Sequence, residues 1–383
     1  MRRGAVVHWT VLVERPLEFY EEDDLLSFRA VVSRLSVIDH PRLTSSIYRC
    51  GSRLREILGM PARLGGRSHV PARLLRFLAA SSPRPPDAVV ACGEHLATCL
   101  SAFPEETRKV LDVPRIGSEA YRDHVGSGRG EDLEVFADEA REMRLVRLAG
   151  AVISGCAEDA RALRARGYEG PIFVIPPAGQ FLGGAAFRRR DGLPPGSARL
   201  LYVGSPTAAN LDGLFWFRRH VLPRLLQAVP RARLRVVGEI ARSMDPAPGI
   251  DRVGRVDELE EEYRAAAAVV LPLRMGSGVH RRAVEAIVRG KALATTRLGA
   301  AGTGLTPGRD AIVTDDPGRM AAELARVVDS AEARCALEEA AARLARAAFD
   351  PSAHYAGLSR LLGLPGAEGI EAAERRPSET IPA

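Results

Sequence analysis

Ala268-Val269-Val270-Leu271-Pro272-Leu273-Arg274-Met275-Gly276-Ser277-Gly278-Val279-His280-Arg281-Arg282-Ala283-Val284-Glu285-Ala286 reads as a buried strand, a glycine loop and a helix. The strand is an uninterrupted apolar run, the pattern of a parallel strand covered on both faces. Pro272 ends it. Gly276 and Gly278 permit a tight turn and the close approach of a ligand to the backbone. The periodicity predicts a helix from Val279 to about Arg289, capped by Gly290. A helix that starts directly after such a loop offers unused N–H groups and a positive dipole end, which suit a phosphate. Arg274, Arg281 and Arg282 add positive charge beside it.

The same alternation extends outward in both directions. Upstream, Arg199–Ser205 is a predicted strand, followed by a helix over Leu211–Val229 interrupted by Pro223. Further strands are expected at Arg233–Gly238 and Ile250–Val256, with a helix over Leu259–Ala267. Downstream, strands are expected at Lys291–Thr296 and Ala311–Val313, then helices within Met320–Ala348 and over His354–Leu362. A second series starts at Asp87. Its strands are Ala88–Ala91, Lys109–Val113, Ala151–Ser154 and Pro171–Pro176, and its helices are Leu96–Leu100, Leu133–Leu148 and Glu158–Arg166. Short strands alternating with helices give an α/β fold with parallel sheets. Before residue 87 the pattern is sparse, with a strand at Ala5–Val13, an apolar-periodic run over Leu25–Leu35 and a short strand at Val37-Ile38. The expected organisation is a domain over 1–178, a Gly/Pro/Arg-rich linker at 179–198, a second domain over 199–364 and a disordered tail over 365–383.

The chain has 383 residues, 46% hydrophobic and 27% charged, as in soluble globular proteins. No apolar run reaches the length of a membrane span, and the N-terminal residues lack a signal-peptide core. Cys50, Cys92, Cys99, Cys156 and Cys335 are scattered, without the spacing of a disulfide framework or a metal site. A reduced, cytoplasmic protein is the expectation. The net charge is +6, carried almost wholly by arginine, since lysine occurs only at 109 and 291. Aromatics at 5% argue against a stacking platform for single-stranded nucleic acid, so nucleic acid is not an expected partner. Residues 47–80 carry Arg49, Arg53, Arg55, Arg63, Arg67, Arg73 and Arg76 against Glu56, interleaved with leucines. Such a surface can lie on anionic lipid, making the protein membrane-peripheral; a solvated helical face is the alternative.

Four segments in order resemble the nucleotide-binding domain of the GT-B glycosyltransferases, specifically the retaining group 1 family (GT4). Leu201–Ser205 with Asn210–Phe217 is similar to that family's first strand, loop and helix. Leu234–Gly238 is similar to its next strand, and Gly254–Leu259 with Tyr263 to its Gly-x-Val-x-Asp-Leu segment. Leu271–Arg274, Gly276-Ser277-Gly278 and Glu285-Ala286 resemble its Pro-Leu-Arg-x-Gly-Ser-Gly … Glu-Ala signature. The resemblance covers 199–305 densely and 87–178 sparsely. It implies two Rossmann-like α/β/α domains facing across a cleft, the second binding a nucleotide-diphospho-sugar and the first an unidentified acceptor. It also implies sugar transfer with retention at the anomeric carbon, with neither metal nor cofactor.

The resemblance implies roles for particular residues. Glu285 corresponds to the glutamate that holds the donor ribose; a carboxylate accepts two hydroxyls of a diol at once. An ion pair at helical spacing with Arg281 or Arg282 is the alternative. Arg282, where relatives carry lysine, and Arg274 would neutralise the leaving diphosphate, aided by Gly276, Ser277, Gly278 and Val279. Gly254 and Val256 would present backbone to the base. Gly204, Ser205 and Asn210 would line the first loop, with a plain strand–turn–helix as the alternative. The first domain departs from the family at Pro114 and Arg115, where His-Asp often stands. Its N-terminal glycine-rich loop is not visible. These departures keep open a degenerate protein that binds a nucleotide sugar and acts as a non-catalytic partner or scaffold. A GT-B sugar-nucleotide epimerase and a dinucleotide-dependent oxidoreductase are further alternatives. The histidines, including His280 beside the signature, form no catalytic or metal-ligating pattern.

Overall fold

The computed structural model describes residues 8–13, 34–39, 72–80, 84–113, 116, 139–177, 197–276 and 278–362. Several sequence expectations lie outside them. Among these are the apolar-periodic run over 25–35 up to residue 33, most of the basic 47–80 region, Pro114 and Arg115, Ser277, the linker through 196 and the tail.

The described elements run in chain order as follows: β1 (His8–Val13), β2 (Arg34–Asp39), α1 (Ala72–Ala80), β3 (Ala88–Cys92), β4 (Arg108–Val113), α2 (Glu139–Val146), β5 (Ala151–Ser154), α3 (Ala157–Ala165) and β6 (Ile172–Val174). Then come β7 (Arg199–Val203), α4 (Ala208–Trp216), α5 (Leu222–Ala228), β8 (Arg233–Val237), β9 (Ile250–Gly254), α6 (Leu259–Ala265), β10 (Ala268–Leu271), α7 (Arg281–Val288), β11 (Leu293–Thr295), α8 (Arg297–Ala300), β12 (Ile312–Val313), α9 (Pro317–Asp329), α10 (Ala331–Ala348) and α11 (Pro351–Leu361). The chain divides into two compact units. One is built from described residues within Met1–Leu111, Val135–Gly150 and Ala356–Pro377, the other from those within Asp112–Glu134 and Ala151–Tyr355. The division therefore groups β5, α3 and β6 with the later elements. Among the described residues, no helix is long and apolar enough to cross a membrane.

The second unit contains a six-stranded sheet in the order β12-β11-β10-β7-β8-β9. Every pairing in it is parallel, with Ala268 opposite Leu200 and Val269 opposite Leu293. Alternate strand residues feed two cores, as the pleat requires. Leu200, Tyr202, Leu234, Val236 and Val270 pack with Leu214, Phe217 and Leu225 of the α4–α5 run and with Met320, Leu324 and Val327 of α9. On the opposite face, Leu201, Val203, Val269 and Leu271 pack with Tyr263, Val284, Ile287 and Phe349. The result is a three-layer α/β/α sandwich. Elsewhere β5 pairs with β6 and β1 with β2, both in parallel.

Several expected boundaries shift for identifiable reasons. The helix expected from Leu211 starts at Ala208, because Thr207 caps it by accepting the Asn210 N–H. Pro223 does not interrupt it. A π turn at Phe217–Val221, with the Leu222 N–H donating to Phe217 O, widens the helix just before the proline, and the helix continues to Ala228. The signature helix starts at Arg281, with His280 in an extended conformation at its cap. The stretch expected helical at Leu96–Leu100 is a 3₁₀ helix over Glu94–Ala102. Met320–Ala348 holds two helices, since Ser330 closes α9 and opens α10.

Candidate functional site

The strand order reverses direction between β7 and β10, so the crevice beyond their carboxyl ends is a topological switch point, where open α/β sheets bind ligands. Most of the residues singled out from sequence follow those two strands or their neighbours. Beyond β7, β8 and β9 the backbone is stitched together. The Gly204 N–H donates to Val237 O at 3.0 Å and the Gly238 N–H to Gly254 O at 2.7 Å. Gly238 sits at φ +100°, where a Cβ would lie 2.2 Å from Gly204 O. Gly254, at φ +84°, has open space on its Cβ side, and Val256 packs on the second core. Asn210 shapes its own loop. Its Nδ2 donates to Ser205 O at 2.9 Å, and its carbonyl accepts from the Tyr202 hydroxyl at 3.0 Å. Ser205 is exposed.

Beyond β10, Gly276 and Gly278 take φ +124° and +71°, the left-handed values that make glycine necessary there. Val279 is partly buried against the second core. It also meets the turn at Gly302, where an added Cβ would lie 2.8 Å from Val279 Cγ2 and 3.1 Å from Cys156 Cβ. Nothing in the sequence links these three positions. At the start of α7, the Ala283 and Val284 N–H groups donate to His280 O. His280 makes no side-chain cap, and the first turn holds Arg281 and Arg282 with no acid. By contrast α4, α8, α9 and α10 are capped by Thr207, Thr296, Asp316 and Ser330. Two arginines at an uncapped N-terminus oppose the helix dipole, an arrangement that an anion at that end would relieve.

Arg282 and Glu285, expected to grip different parts of one ligand, hold each other. The Glu285 carboxylate is buried, with Arg282 Nη1 on one oxygen and Arg289 Nη1 3.1 Å from the other. The helical-spacing alternative therefore describes this geometry, except that the carboxylate is buried and is also held by Arg289, four residues on. Arg289 also donates from Nε to Glu260 at 2.9 Å and lies 4.5 Å over the Tyr263 ring. Burial opposes the charge on Arg282, but the adjacent Glu285 carboxylate outweighs it and raises the guanidinium's pKa. Burial, then the charge of Glu285, pushes the Tyr263 hydroxyl well above the usual phenol range.

Arg274 stands elsewhere. It lines a cavity of about 500 Å³ with Trp216, Met275, Thr296, Arg297 and Asp315, and no other sequence-nominated site residue lines that cavity. Its guanidinium lies 3.8 Å from Asp212 and 6.0 Å from the Trp216 ring. The Thr296 hydroxyl donates to Leu273 O, fixing the strand-to-loop exit of β10. Among the described residues, no three His, Cys, Asp or Glu side chains converge as a metal would need. Sequence reasoning gave Arg289 no site role, and named Asp212, Trp216 and Tyr263 only as parts of motifs. Of these, Arg289 alone had a local signal, its four-residue spacing from Glu285.

Residues 197–330 match the family model described as glycosyl transferases group 1. No curated protein sequence matches the chain. Among solved structures, the chain is similar to a mutant of S. aureus TarM in a complex that includes UDP. The identity is 10% and the TM-score 0.58, and the match covers 76% of this chain and 58% of that one. It is also similar to an α,α-trehalose-phosphate synthase (UDP-forming) from Burkholderia vietnamiensis, at 13% identity and TM-score 0.56, over 86% of this chain and 89% of that one. The pneumococcal O-GlcNAc transferase GtfA, in complex with UDP and GlcNAc, gives 14% identity and TM-score 0.51 over 79% and 60%. This chain thus spans little more than half the length of TarM. The likeness establishes the fold as GT-B.

Proposed function

We propose, from the match of residues 197–330 to the group 1 glycosyltransferases, that this chain moves a sugar from a nucleotide-diphospho-sugar to an acceptor with retention at the anomeric carbon. The supporting observation is the start of α7. An uncapped helix end with Arg281 and Arg282 in its first turn follows the left-handed Gly276 and Gly278, at the switch point of the sheet. The diphosphate would sit on the first N–H groups of α7, where dipole and arginine charge act together on the negative charge that builds as the diphosphate leaves. The base would lie toward Gly254 and Val256 and the ribose toward Glu285. Three of the structural relatives are named for UDP, as ligand or as product.

Thermal unfolding with UDP, GDP, ADP and their sugar conjugates tests the donor site, with Glu285→Ala as the comparison variant. A nucleotide at ~100 times its dissociation constant raises stability by about 2.7 kcal/mol. Failure of every nucleotide to shift the unfolding curve rejects the donor site. An equal shift in Glu285→Ala rejects only the role given to Glu285.

A second reading is a protein that binds the donor without transferring its sugar. It is favoured by the pairing of Arg282 with a buried carboxylate, which neutralises the cation expected to act on the leaving group. Donor hydrolysis or sugar transfer to any acceptor excludes it.

A further inference from the structure

The cluster around Glu285 holds more partners than one carboxylate requires. Arg282 and Arg289 flank it, and the Tyr263 hydroxyl stands beside it. Tyr263 is 1% exposed, and its hydroxyl lies within interaction range of both Glu285 and Arg282 but is aligned for a hydrogen bond with neither. A buried hydroxyl left unpaired is destabilising, so a phenylalanine would serve this core better if packing were its purpose. The two arginines also differ. The Arg289 side chain is 17% exposed and is fixed a second time by Glu260 and by the Tyr263 ring. The Arg282 side chain is 42% exposed, lies in the first turn of α7, and has Glu285 as its ion-pair partner. Of the two, Arg282 is the one that can turn away.

Resting on the donor-site reading above, we infer that Arg282 exchanges partners when an anion arrives at the start of α7, and that Tyr263 takes its place on Glu285. Departure of Arg282 from a buried carboxylate would otherwise leave that charge half-compensated, which is strongly destabilising. The Tyr263 hydroxyl, already desolvated and adjacent, donates to the oxygen that Arg282 releases, while Arg289 stays on the other. The carboxylate remains ionised and aimed, and its remaining lone pairs can accept from a ribose hydroxyl. Tyr263 is thus a positioning residue. Its hydroxyl is near but out of line with the carboxylate before the ligand binds, and hydrogen-bonded to it afterwards.

Tyr263→Phe removes only the hydroxyl. Its expected result is an unliganded unfolding midpoint equal to or above that of the wild type, with an affinity for UDP (or GDP or ADP, whichever binds best) about tenfold weaker. A lower midpoint with unchanged affinity would mark a merely structural hydroxyl and overturn the inference, as would no change in either. A double-mutant cycle with Arg282→Gln needs no ligand. The inference expects Arg282→Gln to lower stability more in the Tyr263→Phe background than in the wild type, because the substitute donor is then missing. Equal losses in both backgrounds overturn the substitution of partners. If wild type binds no nucleoside diphosphate, the donor-site reading fails and takes the ligand-driven exchange with it, and the cycle alone then decides whether Tyr263 can replace Arg282.

Discussion

Glu285 shows how a single residue changes meaning when its surroundings are known. On a helical wheel it has arginines on both sides; in the fold it is buried, with one arginine on each carboxylate oxygen. A buried carboxylate so placed is held in one orientation, which a binding residue needs, but at a desolvation cost that its partners must offset. Asp310 is a second buried carboxylate with a measurable consequence. It accepts from the Thr306 N–H at 2.9 Å and from Arg309 Nε and Nη2 at 2.9 and 2.8 Å. The Arg309 hydrogen bonds, first, hold its pKa below the ordinary carboxylate value. A depressed folded-state pKa contributes stability above the unfolded value of about 3.9, and that stability is lost as pH falls through the folded value. Asp310→Asn is therefore expected to be less stable than wild type at pH 7. The gap in thermal midpoint should close as the pH is lowered through the acid range; a gap independent of pH would contradict the assignment.

At the scale of elements, the glycine loop is placed by what packs beneath it. Gly213, inside α4, has its Cβ position 2.4 Å from Pro272 O. Glycine costs a helix interior about 1 kcal/mol relative to alanine, yet alanine would drive the helix off the exit of β10. Gly213→Ala is expected to lose on the order of 1–3 kcal/mol in urea unfolding, the usual range for overpacking. It should also weaken nucleoside diphosphate binding, because the displaced Pro272-Leu273 leads directly into Arg274 and Gly276. Loss of stability without loss of binding would show that the loop relaxes independently of α4. The π turn before Pro223 belongs at this scale too, since it lets one helix carry both the Thr207 cap and Leu225 of the core.

For the molecule as a whole, the six-stranded sheet of the second unit is the platform on which the candidate site stands. All four residues of β10 are buried, and β7 and β8 are inner strands like it, whereas β9 is an edge strand with exposed Asp251 and Arg252. Amide hydrogen exchange should therefore be slowest in β7, β8 and β10 and faster in β9, because inner strands open only with global unfolding. Uniform protection across the sheet would contradict this ordering. The same sheet explains which site residues converge. Gly204, Gly254, Gly276 and Gly278 follow β7, lie at the end of β9 or follow β10, at the carboxyl edge. Arg274 instead lines a cavity with Trp216 and Asp315, which come from α4 and the segment after β12.

By itself, the sequence determined the alternation of strands and helices, the glycine loop ahead of α7 and the helix end behind it. Each of these is local: a run of apolar residues, a left-handed turn that needs glycine, a helix stop at Gly290, which sits at φ +61°. Tertiary structure alone decided the rest. Arg282 is paired with Glu285, Tyr263 stands beside that pair, Gly213 lies under Pro272, and Cys156 meets Val279 across Gly302. The physical reason is that a local pattern fixes backbone conformation over a few residues. The partner of a buried charge is fixed by which elements the sheet order brings together, and that order is not written in any one stretch.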